Sequence, residues 1–293
     1  MTSIPADSAH PAPPERPERP RVPSIIPPWP AWTAPAALIA GFAGAIVAGL
    51  VIGIIGAIFG ASLDDPPAAV SIASVIAQDI CLIGAALLFA SRVAPPRPEQ
   101  FGLRRPAILR ALALVVGGYL VFIVLSYVWL ELIGQSGAKD TITQSLGAKD
   151  STVALIAVTF VVTVCAPLAE EFFFRGYFFG ALRSHGFWFA GGFTGLAFGI
   201  VHVFGSPIAF IVPLAALGFG LCFIREKTGS LYPGIALHCL NNSIAMSSSE
   251  HWSWQVPVVL VLAPTCIALF VWLGLRYWPA ATRWPTGAVA PTG

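Results

Sequence analysis

AALIAGFAGAIVAGLVIGIIGAIFGA, residues 36–61, contains no charged side chain and no Asn, Gln or His. About 20 apolar residues are enough for a helix to cross the hydrocarbon core of a bilayer, so this run predicts a transmembrane helix. Further apolar runs of helical length occupy 68–90, 112–132, 152–175, 187–204, 208–224, 231–247 and 256–277. Turn-forming residues punctuate them: Asp64-Asp65-Pro66-Pro67, Pro95-Pro96, the stretch from Gly134 to Asp150, Gly205-Ser206-Pro207, Thr228-Gly229 and Ser247 to Ser249. Composition agrees. Of 293 residues 56% are hydrophobic and 10% charged, against about a quarter charged in a soluble domain, and mean hydropathy is +0.79. The expected fold is all-α: a polytopic membrane helical bundle of about eight transmembrane helices.

The basic residues sort by side. On an eight-span path, 14 of the 16 Lys and Arg residues fall at one end of the bundle, among them Arg16, Arg92, Arg97, Arg104, Arg105, Arg110, Arg175, Arg183, Arg225, Lys227, Arg276 and Arg283. Lys139 and Lys149 alone fall at the other. Lys and Arg mark cytoplasmic loops, so both termini are expected to be cytoplasmic, in a cell-membrane protein. The chain divides into a Pro-rich tail at 1–32, expected to be disordered, about three helices in 33–149, a core at 150–250, a last helix within 251–282, and a disordered tail at 283–293. The tail does not read as a signal peptide, and the first apolar helix is expected to act as an uncleaved signal-anchor.

Several function classes drop out. No basic face is concentrated for nucleic acid. Cys81, Cys165, Cys222, Cys239 and Cys266 are scattered without a CxxC pair, which fits small buried residues better than a disulfide or zinc framework. Gly191, Gly195 and Gly199, and likewise Gly49 and Gly53, recur every four residues and are expected to be helix-packing faces.

Ionisable groups at membrane depth are costly and point to function. They concentrate in APLAEEFFFRG (166–176), FGIVH (198–202) and HCLNN (238–242). Glu171 and Arg175, four apart with the acid first, predict an ion pair. Glu170 diverges from its neighbour by about 100° and is left free. Pro167 removes a helical hydrogen bond and predicts a kink. With a turn near Gly186, Glu170 and His202 are equidistant from it and lie at one height. His238 and Asn242 share a helix face. The expected pocket is lined by Glu170, His202, His238 and Asn242 and opens toward the cytoplasmic side.

Such a set suits peptide hydrolysis. Glu170 is a general base for water, His202 orients that water, and His238 with Asn242 stabilises the oxyanion. The same Glu170, His202 and His238 could instead ligate Zn2+, and the residues leave that choice open. No HExxH or GxGD-type aspartate pair occurs. Gln78 and Asp79 are expected to hydrogen-bond between helices, Glu131 to be solvated at an outer interface, and Ser206 to be exposed. Phe198 is expected to pack on the His202 ring.

The ordered trio EExxxR, FxxxH and HxxxN resembles the type II CAAX prenyl endopeptidases, the CPBP or ABI group of intramembrane metalloproteases. The resemblance covers about residues 150–250, with FGLRRP at 101–106 also similar. It implies catalytic Glu170, Glu171, Arg175, His202, His238 and Asn242, and a cavity facing the cytosol. It further implies membrane lipid and a peptide or protein partner, with cleavage near the C-terminus of a prenylated substrate. A non-enzymatic scaffold or bacteriocin-immunity protein that keeps the pocket is the alternative. A proton- or ion-coupled transporter built on Asp79 and the glutamate pair is a third reading.

Overall fold

The computed structural model describes residues 27–62, 64–138 and 145–278. Within these the chain is helical, with no strand among the described residues. The helices are α1 (Thr33–Ile58), α2 (Ala68–Val93), α3 (Ile108–Leu132), α4 (Thr152–His185), α5 (Phe187–Val201), α6 (Ile211–Thr228), α7 (Tyr232–Ser249) and α8 (Gln255–Arg276).

All eight expected apolar runs are helical, and seven of the resulting helices are long and apolar enough to cross a membrane. The protein is a multi-pass membrane protein. α7 falls below that apolarity because it carries His238, Asn241, Asn242 and four serines in 18 residues. Its inward face is polar for the site rather than apolar for lipid. Elsewhere the burial pattern is inverted relative to a soluble protein. In α3 only Ala111 is buried, and Leu120, Val121, Val124 and Leu125 point outward, as lipid permits.

α5 and α6 pack through glycine. A Cβ on Gly195 would lie 2.8 Å from the Ala215 carbonyl, and one on Gly199 would lie 2.7 Å from the Ile211 carbonyl. That face matches expectation. On α1 the close approaches are instead at Gly41 (3.0 Å to Leu82) and Gly56 (2.9 Å to Val70), whereas Gly49 faces open space.

α4 departs from a regular helix. It is α-helical at Thr152–Phe160, π-helical at Val161–Cys165, α-helical at Ala166–Glu170 and π-helical again at Glu171–Phe178. The Ala166 N–H donates to the Val161 carbonyl five residues back, and Phe179 likewise to Phe174. The distortion expected at Pro167 is therefore spread over two wide-turned segments, a form of helix that concentrates at functional sites.

The tail ordering differs from expectation at its inner end. Residues 27–32, assigned to a disordered tail, include Trp29, which is buried. Its ring lies 4.8 Å from both Phe101 and Tyr177. Burying that large ring offsets the ordering of a few residues. Residues 1–26, the tail at 283–293, and Lys139 with Asp140 lie outside the described residues.

Candidate active site

The three polar motifs meet in the bundle. Glu171 and Arg175, both with fully buried side chains, form an ion pair of 2.8 Å along the second π-helical segment. Arg175 also donates to the Gly218 carbonyl at 3.1 Å and stands 4.1 Å over the Phe198 ring. This guanidinium was counted among the cytoplasmic-edge charges. It is instead consumed inside the protein and does not contribute to the sorting of charge.

Glu171 serves two partners. Its Oε1 accepts from Arg175 and also from His238 Nδ1 at 3.1 Å. Donation from Nδ1 leaves His238 Nε2 facing Glu170, 3.8 Å from its Oε2. His202 is arranged the same way from the other side. Its Nδ1 donates to the Phe198 carbonyl at 2.7 Å, and its Nε2 lies 3.9 Å from the same Glu170 oxygen. These tautomers follow from the hydrogen bonds each Nδ1 makes. Glu170 Oε2 is buried and receives no hydrogen bond. Two imidazole nitrogens therefore converge on one carboxylate oxygen at distances too long for direct bonds and suited to a small species between them. Phe198 packs on the His202 ring at 4.7 Å, as expected.

Gly234 makes room for this network: a Cβ there would lie 2.9 Å from Glu171 Oε2. The FGLRRP loop fixes the start of α7. Gly102, at φ +86°, accepts from the Leu231 N–H at 2.8 Å. Arg104 donates to the Gly229 carbonyl at 2.7 Å, and Ser230 Oγ donates to the Arg104 carbonyl at 2.6 Å. Phe101 stacks on Phe172 of α4 at 4.6 Å. The loop thus ties α7 to α4 and holds His238 against Glu171.

Asn242 is partly engaged. Its Nδ2 donates to the Val162 carbonyl at 2.9 Å, within the first π-helical segment, and its Oδ1 accepts from Asn241 at 3.3 Å. One of its two N–H groups is already committed to bracing α4.

A cavity of about 320 Å³ joins Glu170, His202, His238, Asn241 and Asn242. It runs to Leu146, Phe204, Gly205 and Ser249, at the end of the bundle away from the arginine-rich loops. An opening on the arginine-rich side is expected from the sequence; the lining extends instead toward the other end of the bundle, because the sequence leaves the depth of His238 and Asn242 along α7 less constrained. Ser206, expected to be exposed, is 7% accessible and lines the cavity. Asp79 also lines it, with neither oxygen hydrogen-bonded, which corrects its expected interhelical bond. Asn241 was missed in the sequence, although it lies three residues from His238 and so on the same helix face. Glu131 is exposed, as expected.

A carboxylate and two imidazoles belong to the zinc-ligand repertoire. Among the described residues, however, no three His, Cys, Asp or Glu side chains stand at metal-holding spacing.

Residues 152–244 match the family described as type II CAAX prenyl endopeptidase, Rce1-like. The match is a similarity confined to this core segment. That segment contains all six residues of the constellation. A Bacillus subtilis (strain 168) protein named "Putative membrane peptidase YdiL" is 29% identical over 111 residues, covering 38% of this chain and 43% of the relative. The chain therefore matches less than half the length of that protein. No solved structure matches.

Proposed function

We propose that the protein is an intramembrane endopeptidase in which Glu170 activates water for attack on a peptide carbonyl. The observation that carries this is the convergence of His202 Nε2 and His238 Nε2, at 3.9 and 3.8 Å, on a buried Glu170 oxygen that receives no hydrogen bond. Water held among these groups loses a proton to Glu170, and the nearby imidazoles fix its position. Arg175 neutralises Glu171, so the free negative charge of the glutamate pair belongs to Glu170. Developing charge on the substrate oxygen is met by the uncommitted N–H of Asn242 and by Asn241.

The substrate we propose is a peptide segment at the membrane. Placing the arginine-rich end in the cytoplasm, with both termini there, leaves the cavity extending toward the opposite face. This favours a related membrane substrate over a prenylated C-terminus presented from the cytosol.

The test is a peptidase assay on purified protein, offering an unmodified membrane peptide beside a prenylated CAAX peptide. Wild type is expected to cleave the unmodified peptide. Glu170→Gln and His202→Ala are expected to lose turnover by about 100-fold or more while remaining monodisperse in detergent. Undiminished cleavage by both variants would overturn the reading.

A further inference from the structure

Asp79 sits inside the membrane-spanning helix α2 and lines the same cavity as Glu170. It is 5% exposed, and neither of its carboxyl oxygens receives a hydrogen bond. Among the described residues, the ionisable side chains lining this cavity are Asp79, Glu170, His202 and His238.

The two carboxyl groups have different surroundings. Glu170 has an imidazole nitrogen on each side within 4 Å, either of which can share a proton with it. Among the described residues, Asp79 has no cation and no hydrogen-bond donor beside it. An ionised carboxylate buried without either is strongly disfavoured in a low-dielectric interior, and two carboxylates in one cavity disfavour each other's ionisation. Asp79 is therefore the carboxyl group that keeps its proton. Two carboxyl groups whose environments differ in this way divide into a base and an acid.

We propose that Asp79 is the general acid of the reaction, held neutral by its surroundings and delivering its proton to the departing amine. This rests on the peptidase reading given above. Glu170 takes one proton from water as the water oxygen bonds to the carbonyl carbon. The C–N bond then breaks, its electron pair stays on nitrogen, and that nitrogen takes the Asp79 proton. The proton held by Glu170 passes through cavity solvent to the Asp79 carboxylate. Both side chains end as they began, and one water has been consumed.

The full-length protein, purified in detergent, provides two readouts. Infrared difference spectra of wild type against Asp79→Asn are expected to show the C=O stretch of an un-ionised carboxylic acid in wild type alone. Turnover is compared on two peptides that differ in leaving group, an alkyl amide and a p-nitroanilide. Asp79→Asn is expected to slow the alkyl amide by about 100-fold, with KM unchanged, and to slow the anilide far less, because its departing nitrogen is much less basic and depends less on a proton donor. Asp79→Glu, which keeps a transferable proton, is expected to recover part of the loss and also serves if the Asn variant does not fold.

Equal slowing of both substrates, or none, overturns the donor role while leaving the peptidase reading intact. Absence of the infrared band overturns the neutral state of Asp79. A wild type inactive on both peptides overturns the peptidase reading, and the donor role with it.

Discussion

His238 and Glu171 are joined by a hydrogen bond of 3.1 Å from Nδ1 to Oε1, and the same carboxylate oxygen holds Arg175 at 2.8 Å. The buried ion pair is therefore also what aims an imidazole. Glu171 holds the ring so that Nε2 faces Glu170, much as a carboxylate behind a histidine fixes its orientation in other sites. Two adjacent glutamates thus have opposite duties: one keeps the frame in register and the other faces the cavity.

Breaking the pair from one side should be severe. Arg175→Ala leaves a buried carboxylate without its cation, and stability is expected to fall by about 3–5 kcal/mol. The double variant Glu171→Gln/Arg175→Met should recover much of that stability but not turnover, since His238 has lost its charged partner. Thermal unfolding in detergent, read beside peptidase rate, separates the two effects. Equal recovery of stability and rate would show that Glu171 does not orient His238.

Gly234→Ala tests the same network sterically. The added Cβ would meet Glu171 Oε2 at 2.9 Å, and because that carboxylate is buried and doubly bonded it has little freedom to move. We expect about a 10-fold loss of turnover, of the size that a small misplacement near the chemistry produces, with the helical content unchanged by circular dichroism. Wild-type turnover in this variant would mean that the carboxylate position is not critical.

Asn242→Ala should loosen α4. Leaving the Val162 carbonyl without its 2.9 Å donor is expected to cost about 1–3 kcal/mol, and hydrogen exchange should rise at residues 161–166. Unchanged exchange there would remove the bracing role and leave only the oxyanion role.

Side of access can be read by labelling. In a cysteine-free background, Ser248→Cys, exposed at the end of α7 beside the cavity, should react with an impermeant maleimide in intact cells. Ser184→Cys, exposed beside Arg183, should react only after permeabilisation. The reverse pattern would put the cavity end in the cytoplasm and restore a cytosolic substrate.

A chelator is expected to leave turnover unchanged, because Glu170 and the two histidines suffice as base and positioning groups and no metal-holding cluster occurs among the described residues. Loss of activity that is regained with added zinc would show that the donors rearrange around a metal.

The helices were legible in the sequence because lipid leaves no alternative to long apolar runs with satisfied backbones, and Glu171 with Arg175 was legible because i,i+4 spacing survives in the wide-turned segment. The meeting of Glu170 with His202 could be anticipated from equal distances to Gly186. Other features were hidden for physical reasons. Trp29 lies in a proline-rich stretch whose composition says nothing of the ring stack waiting for it on Phe101 and Tyr177. The commitment of Asn242 to Val162 depends on a carbonyl that a regular helix would have occupied. The direction of the cavity depends on how far His238 and Asn242 sit along α7, which apolar runs with uncertain ends do not fix.

The two π-helical segments of α4 make chain length a constrained quantity in its own right. A wide turn accommodates one residue more than the α-helical path would need. Removing a single residue between 161 and 165 would let the segment relax to a regular helix with Glu170 still on its present face. The carbonyl that Asn242 now holds would then be taken by the helix itself. The extra residue therefore serves the brace between α7 and α4 rather than the direction of Glu170.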